Sequence, residues 1–367
     1  MSEGRKTAII GTVGVPGKYG GFETLAENLV RYGSSRSEQA TSLTVYCSAK
    51  AYPERSEHHL DADLVYLPLN ANGIQSIPYD ILSMLSAIRR GHDNLLILGV
   101  SGCLALPFFR LLTKARIITN IDGLEWRRNK WRGLAKWILR FSEKLAVRYS
   151  DIVIADNQAI ADYVSETYGR SSEVIAYGGD HALADDPTDI SVLDLPDAYA
   201  LALCRIEPEN NIDMILEAFA KAHGNTLVFV GNWEASAHGL ELRQRFRSHP
   251  NMHLLDPVYD AGRLRAIRDR ATLYVHGHSA GGTNPSLVEM MQFGVPVLAF
   301  DCSYNRYTTE DQARYFNNAQ CLADLLDNPC HARESSAEGA AMREIARRRY
   351  SWDRIGAAYF ALFDREW

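Results

Sequence analysis

The stretch 276–301, HGHSAGGTNPSLVEMMQFGVPVLAFD, constrains the fold more than any other part of the sequence. Apolar runs rich in β-formers, ATLYV and VPVLAF, flank its polar centre and are typical of buried strands. The centre contains Gly281 and Gly282, and either Thr283 or Asn284 could cap a helix that begins at the following proline. The pattern therefore predicts a strand, a glycine loop, a helix and a second strand.

The order of strand, glycine loop and helix also indicates a binding site for a phosphate group. A glycine loop at a helix N-terminus leaves backbone N–H groups free, and a phosphate or diphosphate binds where such groups converge. Glu289, one turn into the predicted helix over 286–293, could accept hydrogen bonds from the vicinal hydroxyls of a sugar. The alternative is an ordinary βαβ turn with a solvated glutamate.

Strands and helices alternate along both halves of the chain. Between the halves lies a polar stretch over 182–197, rich in Asp and Pro, which is the best candidate for a linker. Strands separated by helices predict an α/β protein with parallel, doubly wound sheets. We expect two Rossmann-like domains facing a cleft, over residues 1–180 and 197–350, followed by a closing segment over 351–367.

Length and composition agree with two such domains. The chain has 367 residues, and its net charge of −6 argues against bulk attraction to nucleic acid. Its start lacks the apolar core of a signal peptide, and the six cysteines form no CxxC pair. We expect a cytoplasmic protein with reduced cysteines and no cofactor.

Three further motifs follow predicted strands. The first, GTVGVPGKYGG, follows Ile10; its glycines, Gly14 among them, allow close backbone approach to a ligand, but Val at position 13 breaks the dinucleotide fingerprint. In the second, CRIEPENN, the Arg205 guanidinium suits a diphosphate. The alternative is a surface ion pair of Arg205 with Glu207 or Glu209.

The third motif is NIDGLEWRR. Asp122 and Glu125 would project into the cleft from the first domain, where a carboxylate could orient or deprotonate an acceptor hydroxyl. The alternative for Asp122 is a capping or loop-closing role.

The segment 126–148 carries eight Lys or Arg and a single acid, interleaved with tryptophans. This pattern is typical of a helix that lies on an anionic membrane surface. The alternative is a domain helix whose basic face is solvated and whose apolar stripe lies in the core: Trp131, Leu134, Ile138, Phe141 and Leu145.

Two motifs could suggest a metal, and both signals are weak. His276 and His278 alternate without a third ligand nearby, and the pair Asp61 and Asp63 is expected to be solvated in a polar loop. We predict no metal site.

With these motifs in place, the chain resembles the retaining glycosyltransferases of family 4, which have the GT-B fold. GGFET resembles the acceptor-side loop of that family. IDGLEWRRNKW, CRIEPENN and HGHSAGGTNPSLVE resemble a subgroup with bacterial rhamnosyltransferases of polysaccharide assembly. SWDRIGAAYFALF resembles the C-terminal helix that crosses back onto the first domain.

The resemblance implies roles for individual residues. In the family's E-x7-E pattern the second Glu is Glu289, which would bind the ribose, whereas the first falls on Gly281. The family's Arg is Arg205, and its Lys is replaced by Asn210 or Asn211. The predicted catalytic residues are Asp122, Arg205 and Glu289. Donor contacts are expected from Gly14, Arg205, Asn210, His278, Ser279, Gly281, Gly282, Thr283, Asn284 and Glu289. Acceptor contacts are expected from Tyr19, Gly20, Gly21, Glu23, Glu125 and Arg127.

The predicted function is therefore metal-independent transfer of a sugar with retention. The donor would be dTDP-L-rhamnose and the acceptor a lipid-linked glycan, with the enzyme peripheral on the inner face of the cytoplasmic membrane. The alternatives are UDP-glucose or GDP-mannose as donor, a sugar-nucleotide 2-epimerase, and a non-catalytic binder of sugar nucleotides.

Overall fold

The computed structural model describes residues 4–17, 20–36, 41–121, 123–124, 126, 133–328 and 332–366. It divides into two compact units. The first unit comprises Met1–Tyr177 and Trp352–Trp367, and the second is Gly178–Ser351. Within the described ranges, no helix is both long and apolar enough to span a membrane.

The first unit is built on one sheet. Its strands are β1 (Arg5–Ile10), β2 (Thr41–Ser48), β3 (His58–His59), β4 (Ala62–Leu67), β5 (Asn94–Leu98), β6 (Arg116–Asn120), β7 (Ile152–Ala155) and β8 (Glu173–Val174). They lie in the order β3-β4-β2-β1-β5-β6-β7-β8, and all neighbours are parallel except β3 and β4. The connecting helices are α1 (Gly21–Ser35), α2 (Ser76–Arg89), α3 (Leu106–Leu112), α4 (Gly133–Tyr149) and α5 (Gln158–Tyr168).

The second unit repeats this plan with an all-parallel sheet. Its strands are β9 (Tyr199–Leu203), β10 (Leu227–Val230), β11 (Met252–Leu255), β12 (Ala271–His276), β13 (Val297–Phe300) and β14 (Arg314–Phe316), in the order β11-β10-β9-β12-β13-β14. The helices are α6 (Ile212–Lys221), α7 (Ala237–Phe246), α8 (Ala261–Asp269), α9 (Pro285–Gln292), α10 (Ser303–Thr308), α11 (Ala319–Asp327) and α12 (Ala332–Arg349). Fully buried Phe219, Phe229 and Trp233 anchor the core of this unit.

Each sheet reverses its strand order at one point. The chain leaves β1 toward one edge and returns to β5 beside it, and in the same way β12 lies beside β9. In open α/β sheets, ligands bind outside the carboxyl ends of the strands at such a switch point. The glycine-rich loop after β1 and the loops after β9 and β12 lie at these points.

The last helix, α13 (Trp352–Asp364), belongs to the first unit, as expected for a helix that crosses back. The Phe360 ring centroid lies 5.3 Å from that of Tyr32 on α1. Arg116 at the start of β6 donates from Nη1 to the Leu362 carbonyl at 2.7 Å. Apolar packing and a buried guanidinium therefore fix this helix.

Two local predictions differ from the structure. The apolar pattern over 103–113 predicts a single helix, whereas the structure has a 3-10 turn (Ser101–Ala105) followed by α3, whose first turn contains Pro107. Proline is tolerated in a first turn but not in a helix interior, so the α-helix begins there. The polar stretch 182–197 lies within the second unit, where Thr188 N–H donates to the Gly262 carbonyl on α8 at 3.1 Å.

Candidate functional site

Two loops follow the strands at the switch point of the second unit. The Arg205 loop (residues 204–211) follows β9, and the Gly281 loop (residues 277–284) follows β12. Because β9 and β12 are parallel neighbours, both loops leave the same edge of the sheet side by side.

Hydrogen bonds join the two loops. Ser279 donates to the Glu209 carbonyl twice, from its N–H at 2.9 Å and from its hydroxyl at 2.8 Å. Asn211 Nδ2 donates to the Gly277 carbonyl at 2.8 Å. Ser279, for which a donor contact is predicted, thus also holds the two loops together.

The Gly281 loop has the form of an anion cradle. Gly281 has φ +121°, which is strained for any residue with a Cβ, and the space where a Cβ would point is open to 4 Å. The N–H groups of Ala280, Gly281 and Gly282 donate no hydrogen bond to the described residues. Consecutive unpaired backbone N–H groups in a glycine loop can donate hydrogen bonds to the oxygens of a phosphate.

The N-terminus of α9 is already capped. Asn284 Oδ1 accepts hydrogen bonds from Ser286 N–H at 3.1 Å and from the Ser286 hydroxyl at 2.8 Å. Of the two predicted caps, Asn284 is the one used, and Thr283 is buried. The loop N–H groups, more than the first turn of the helix, are therefore available to a ligand.

Arg205 is exposed, and its guanidinium makes no hydrogen bond or ion pair with the described residues. The alternative interpretation, an ion pair with Glu207 or Glu209, is therefore wrong. Asn210, the predicted replacement of the family's lysine, is buried and donates from Nδ2 to the Arg205 carbonyl at 2.7 Å, so this amide braces the loop. A free guanidinium on a fixed loop suits a diphosphate.

His276 and His278 stack on each other at the end of β12, with ring centroids 4.3 Å apart and an interplanar angle of 12°. Complete burial lowers the pKa of His276 to about 3, so this ring is neutral at physiological pH. The His278 carbonyl accepts from Asn305 Nδ2 at 2.9 Å, which fixes the loop from the side of α10. Of the two stacked rings, only that of His278 is partly exposed.

Glu289 has two protein partners. One carboxylate oxygen pairs with Arg268 on α8, and the other lies 3.3 Å from His181 Nε2. Burial acts to raise the pKa of Glu289, but Arg268 and His181 outweigh it and hold the pKa below its usual value. A ribose hydroxyl would have to share this carboxylate with them.

Sequence reasoning missed both partners of Glu289. His181 follows the YGGD segment, in which Gly179 packs so closely on α9 that a Cβ would lie 2.4 Å from the Val288 carbonyl oxygen. The glycine pair in YGGD was the sequence signal for this close approach to α9. The sequence around Arg268 carries no such signal, because arginines are common at the ends of amphipathic helices.

In the first unit, the glycine-rich loop is braced from within. Glu23 Oε1 accepts from Val13 N–H at 2.8 Å and from the Thr12 hydroxyl at 3.2 Å. The side chain for which a contact with the acceptor glycan is predicted is therefore hydrogen-bonded to the loop. A Cβ at Gly14 would lie 2.7 Å from Cys47 Sγ, so close protein packing explains that glycine.

The structure describes only some of the other residues predicted to form the site in this unit. Gly20 precedes α1 with φ +124°, and Gly21 is the first residue of that helix. Four other predicted residues lie outside the described part of the chain: Tyr19, Asp122, Glu125 and Arg127.

Comparisons with known families divide the chain as the structure does. Residues 4–180 match the model of a domain of unknown function, DUF1972. Residues 197–328, which include both loops, match the family model "Glycosyl transferases group 1". No curated protein matches the sequence.

Solved structures match the whole chain. Sucrose-phosphate synthase from Thermosynechococcus elongatus superposes with a TM-score of 0.80 at 14% identity, covering 98% of each chain. The fold is GT-B. Anabaena HepE in complex with UDP-glucose gives a TM-score of 0.71 at 16% identity and 98% coverage of each chain. A glycosyltransferase from Rickettsia africae gives 0.70 at 11%, covering 99% of this chain and 98% of its own.

Together, the family match over the second unit and these neighbours support a glycosyltransferase of the GT-B fold. The fold alone assigns neither substrate nor stereochemistry, because one fold hosts many reactions.

Proposed function

We propose that this protein transfers L-rhamnose from dTDP-L-rhamnose, with retention and without a metal, to a lipid-linked glycan acceptor at the inner face of the cytoplasmic membrane. The observation that carries the proposal is the joined pair of loops at the switch point. One loop offers an unpaired guanidinium at Arg205, and the other offers the unpaired N–H groups of residues 280–282.

These groups suit the departing nucleoside diphosphate. As the bond to the anomeric carbon breaks, negative charge grows on the leaving phosphate, and donors that are already in place stabilise it without reorganising. The leaving phosphate would take the proton of the acceptor hydroxyl on the same face, and Asp122 would orient hydroxyls. That HepE has been solved with UDP-glucose supports a sugar nucleotide as donor class.

The proposal of a deoxy sugar rests on Gly281. A carboxylate that reads a sugar hydroxyl makes an analogue without the hydroxyl costly, because the carboxylate is left unpaired. Here the position holds glycine, and the space beside it is open to 4 Å. Because no carboxylate stands at this position, a 6-deoxy sugar would not be penalised there, and the shape of the site, together with His278, would select the donor.

A competition assay tests this proposal. dTDP-L-rhamnose, UDP-glucose and GDP-mannose are mixed with the protein and a lipid-linked acceptor, and the added sugar is identified by mass. We expect a deoxyhexose, and none with Arg205→Met, whose side chain keeps the length but loses the charge.

Addition of a hexose would refute the rhamnosyl assignment and leave a GT-B transferase. Epimerised sugar nucleotide without transfer would identify an epimerase, and donor binding without either product would identify a non-catalytic binder.

A further inference from the structure

The outer side of α4 in the first unit is apolar. Leu134, Trp137 and Phe141 are 71%, 61% and 40% exposed, and their spacing puts them on one face of the helix. The rings of Trp137 and Phe141 stack with centroids 5.4 Å apart. The buried residues of this helix form a different face: Leu139, Ser142, Glu143, Ala146 and Val147. The predicted core stripe through Leu134 and Phe141 is therefore wrong.

The neighbouring helix α3 also exposes apolar side chains. It packs against α4, and Arg110 fixes it there by donating from Nε to the Tyr149 carbonyl at 2.7 Å. Three of its apolar side chains are more than half exposed: Phe108, Leu111 and Leu112. We call the exposed apolar residues of both helices the α3–α4 surface. A group of this kind on neighbouring helices marks an interaction site.

The charge beside the apolar face has one sign. Lys136, Arg140, Lys144 and Arg148 recur every four residues and form a basic stripe along α4. The one acid of this helix, Glu143, is buried and accepts hydrogen bonds from Trp126, Tyr163 and Tyr168. The stripe is therefore uncompensated along its own helix, in a chain of net charge −6.

We infer that the α3–α4 surface docks on an anionic lipid bilayer. Exposed aromatic and aliphatic side chains insert at the boundary between headgroups and acyl chains, and the lysines and arginines beside them meet anionic headgroups. A second copy of this chain is a poorer occupant, because a symmetric contact would bring two basic stripes together.

Trp126 has a different role from that expected of an interfacial tryptophan. Its indole N–H donates to buried Glu143 at 2.9 Å, and Arg140 lies over its ring at 5.2 Å. The anchor tryptophan is Trp137. Lys144 and Arg148 are the basic residues to test, because Lys136 and Arg140 lie over the Trp126 ring.

Vesicle co-sedimentation of the full chain, without donor or acceptor, tests the inference. The wild type is expected to bind phosphatidylglycerol vesicles and to dissociate from them as the salt concentration rises. It should not bind vesicles of neutral phosphatidylcholine. Lys144→Gln with Arg148→Gln should weaken binding about 25-fold, since each basic residue near such a surface contributes about five-fold. Trp137→Ser with Phe141→Ser should weaken it about ten-fold or more through lost apolar burial.

Matched controls lie on the second unit. Lys221→Gln with Arg247→Gln removes the same charge, and Leu240→Ser with Val192→Ser removes exposed apolar side chains; both should bind like the wild type. Unchanged thermal unfolding would show that the α4 variants remain folded.

Four results would overturn the inference: no binding to anionic vesicles at low salt, equal binding to neutral vesicles, α4 variants that bind like the wild type, or self-association through α4 without lipid binding. None of these would bear on sugar transfer, which is assayed separately with a soluble acceptor analogue.

Discussion

At the scale of single residues, Glu289 and Arg268 form a buried ion pair in the second unit. Arg268 is 6% and Glu289 12% exposed. Removing one partner of a buried pair leaves the other charge uncompensated, at a cost of about 3–5 kcal/mol. Glu289→Ala should therefore lower the free energy of unfolding by about this amount in chemical denaturation.

Glu217→Ala is the matched control. Its partner Arg245 is 2.8 Å away, but both side chains are largely exposed, so a loss of about 0–1 kcal/mol is expected. If Glu289→Ala is as stable as Glu217→Ala, the buried pair is not formed in solution. Donor affinity of the folded variant then tests ribose binding separately.

The same pair predicts a dependence on pH. The pKa of Glu289 is lowered on folding, so its stabilising contribution is present above the ordinary glutamate pKa. That contribution is lost as pH falls through the folded value. The stability difference between wild type and Glu289→Ala should therefore shrink in acid.

Asp80 on α2 predicts the opposite trend. Complete burial raises its pKa to about 8, and its one described hydrogen bond is accepted from Gly102 N–H at 3.1 Å. The unfolded carboxyl loses its proton near pH 4 but the folded one only near pH 8. Asp80 therefore destabilises the fold progressively across that range.

Asp80→Asn should consequently gain stability relative to the wild type as pH rises from 4 to 8. Exposed Asp93→Asn is the control and should show no such trend. Denaturation curves at several pH values measure both, and parallel profiles for Asp80→Asn and wild type would contradict a raised pKa.

At the scale of elements, the cap of α9 couples helix stability to the Gly281 loop. Asn284→Ala removes the acceptor of Ser286 N–H and should cost about 1 kcal/mol. Asn318→Ala removes the corresponding cap of α11, where Oδ1 accepts from Cys321 N–H at 2.8 Å, and should cost about the same.

The two variants should differ in donor affinity, measured by calorimetry. Only Asn284→Ala should weaken donor binding, because only that cap orients the Gly281 loop. Equal affinities for both variants would place the diphosphate elsewhere.

Elements also show what the sequence could predict. The strands around ATLYV and VPVLAF, the proline start of α9 and a cap at Thr283 or Asn284 follow from local pattern and capping chemistry, and the structure uses Asn284. The contacts of Ser279 with Glu209 and of Glu289 with Arg268 join residues distant in sequence. No local periodicity reports such a pair, so the sequence predicts ligand contacts for Ser279 and Glu289 but not the protein contacts that hold these side chains in place.

At the scale of the whole molecule, the proposed chemistry predicts tolerance of chelators. The charge of the diphosphate would be met by Arg205 and by loop N–H groups, so transfer should continue in EDTA. Turnover with and without chelator, each followed by added Mg²⁺ or Mn²⁺, measures this. Loss of activity that either cation restores would show that a metal neutralises the diphosphate.

The hydrogen bonds from Ser279 to Glu209 and from Asn211 to Gly277 limit which substitutions the two loops can accept separately. Residues in one hydrogen-bonded network do not respond independently, so substitutions in the two loops should show non-additive effects. Suppose the Gly281 loop were replaced by the equivalent loop of a transferase with another donor preference. The replacement would break these bonds unless the equivalent of the Arg205 loop were transferred from the same enzyme. Donor preference would then be inherited, or engineered, as a matched pair of loops.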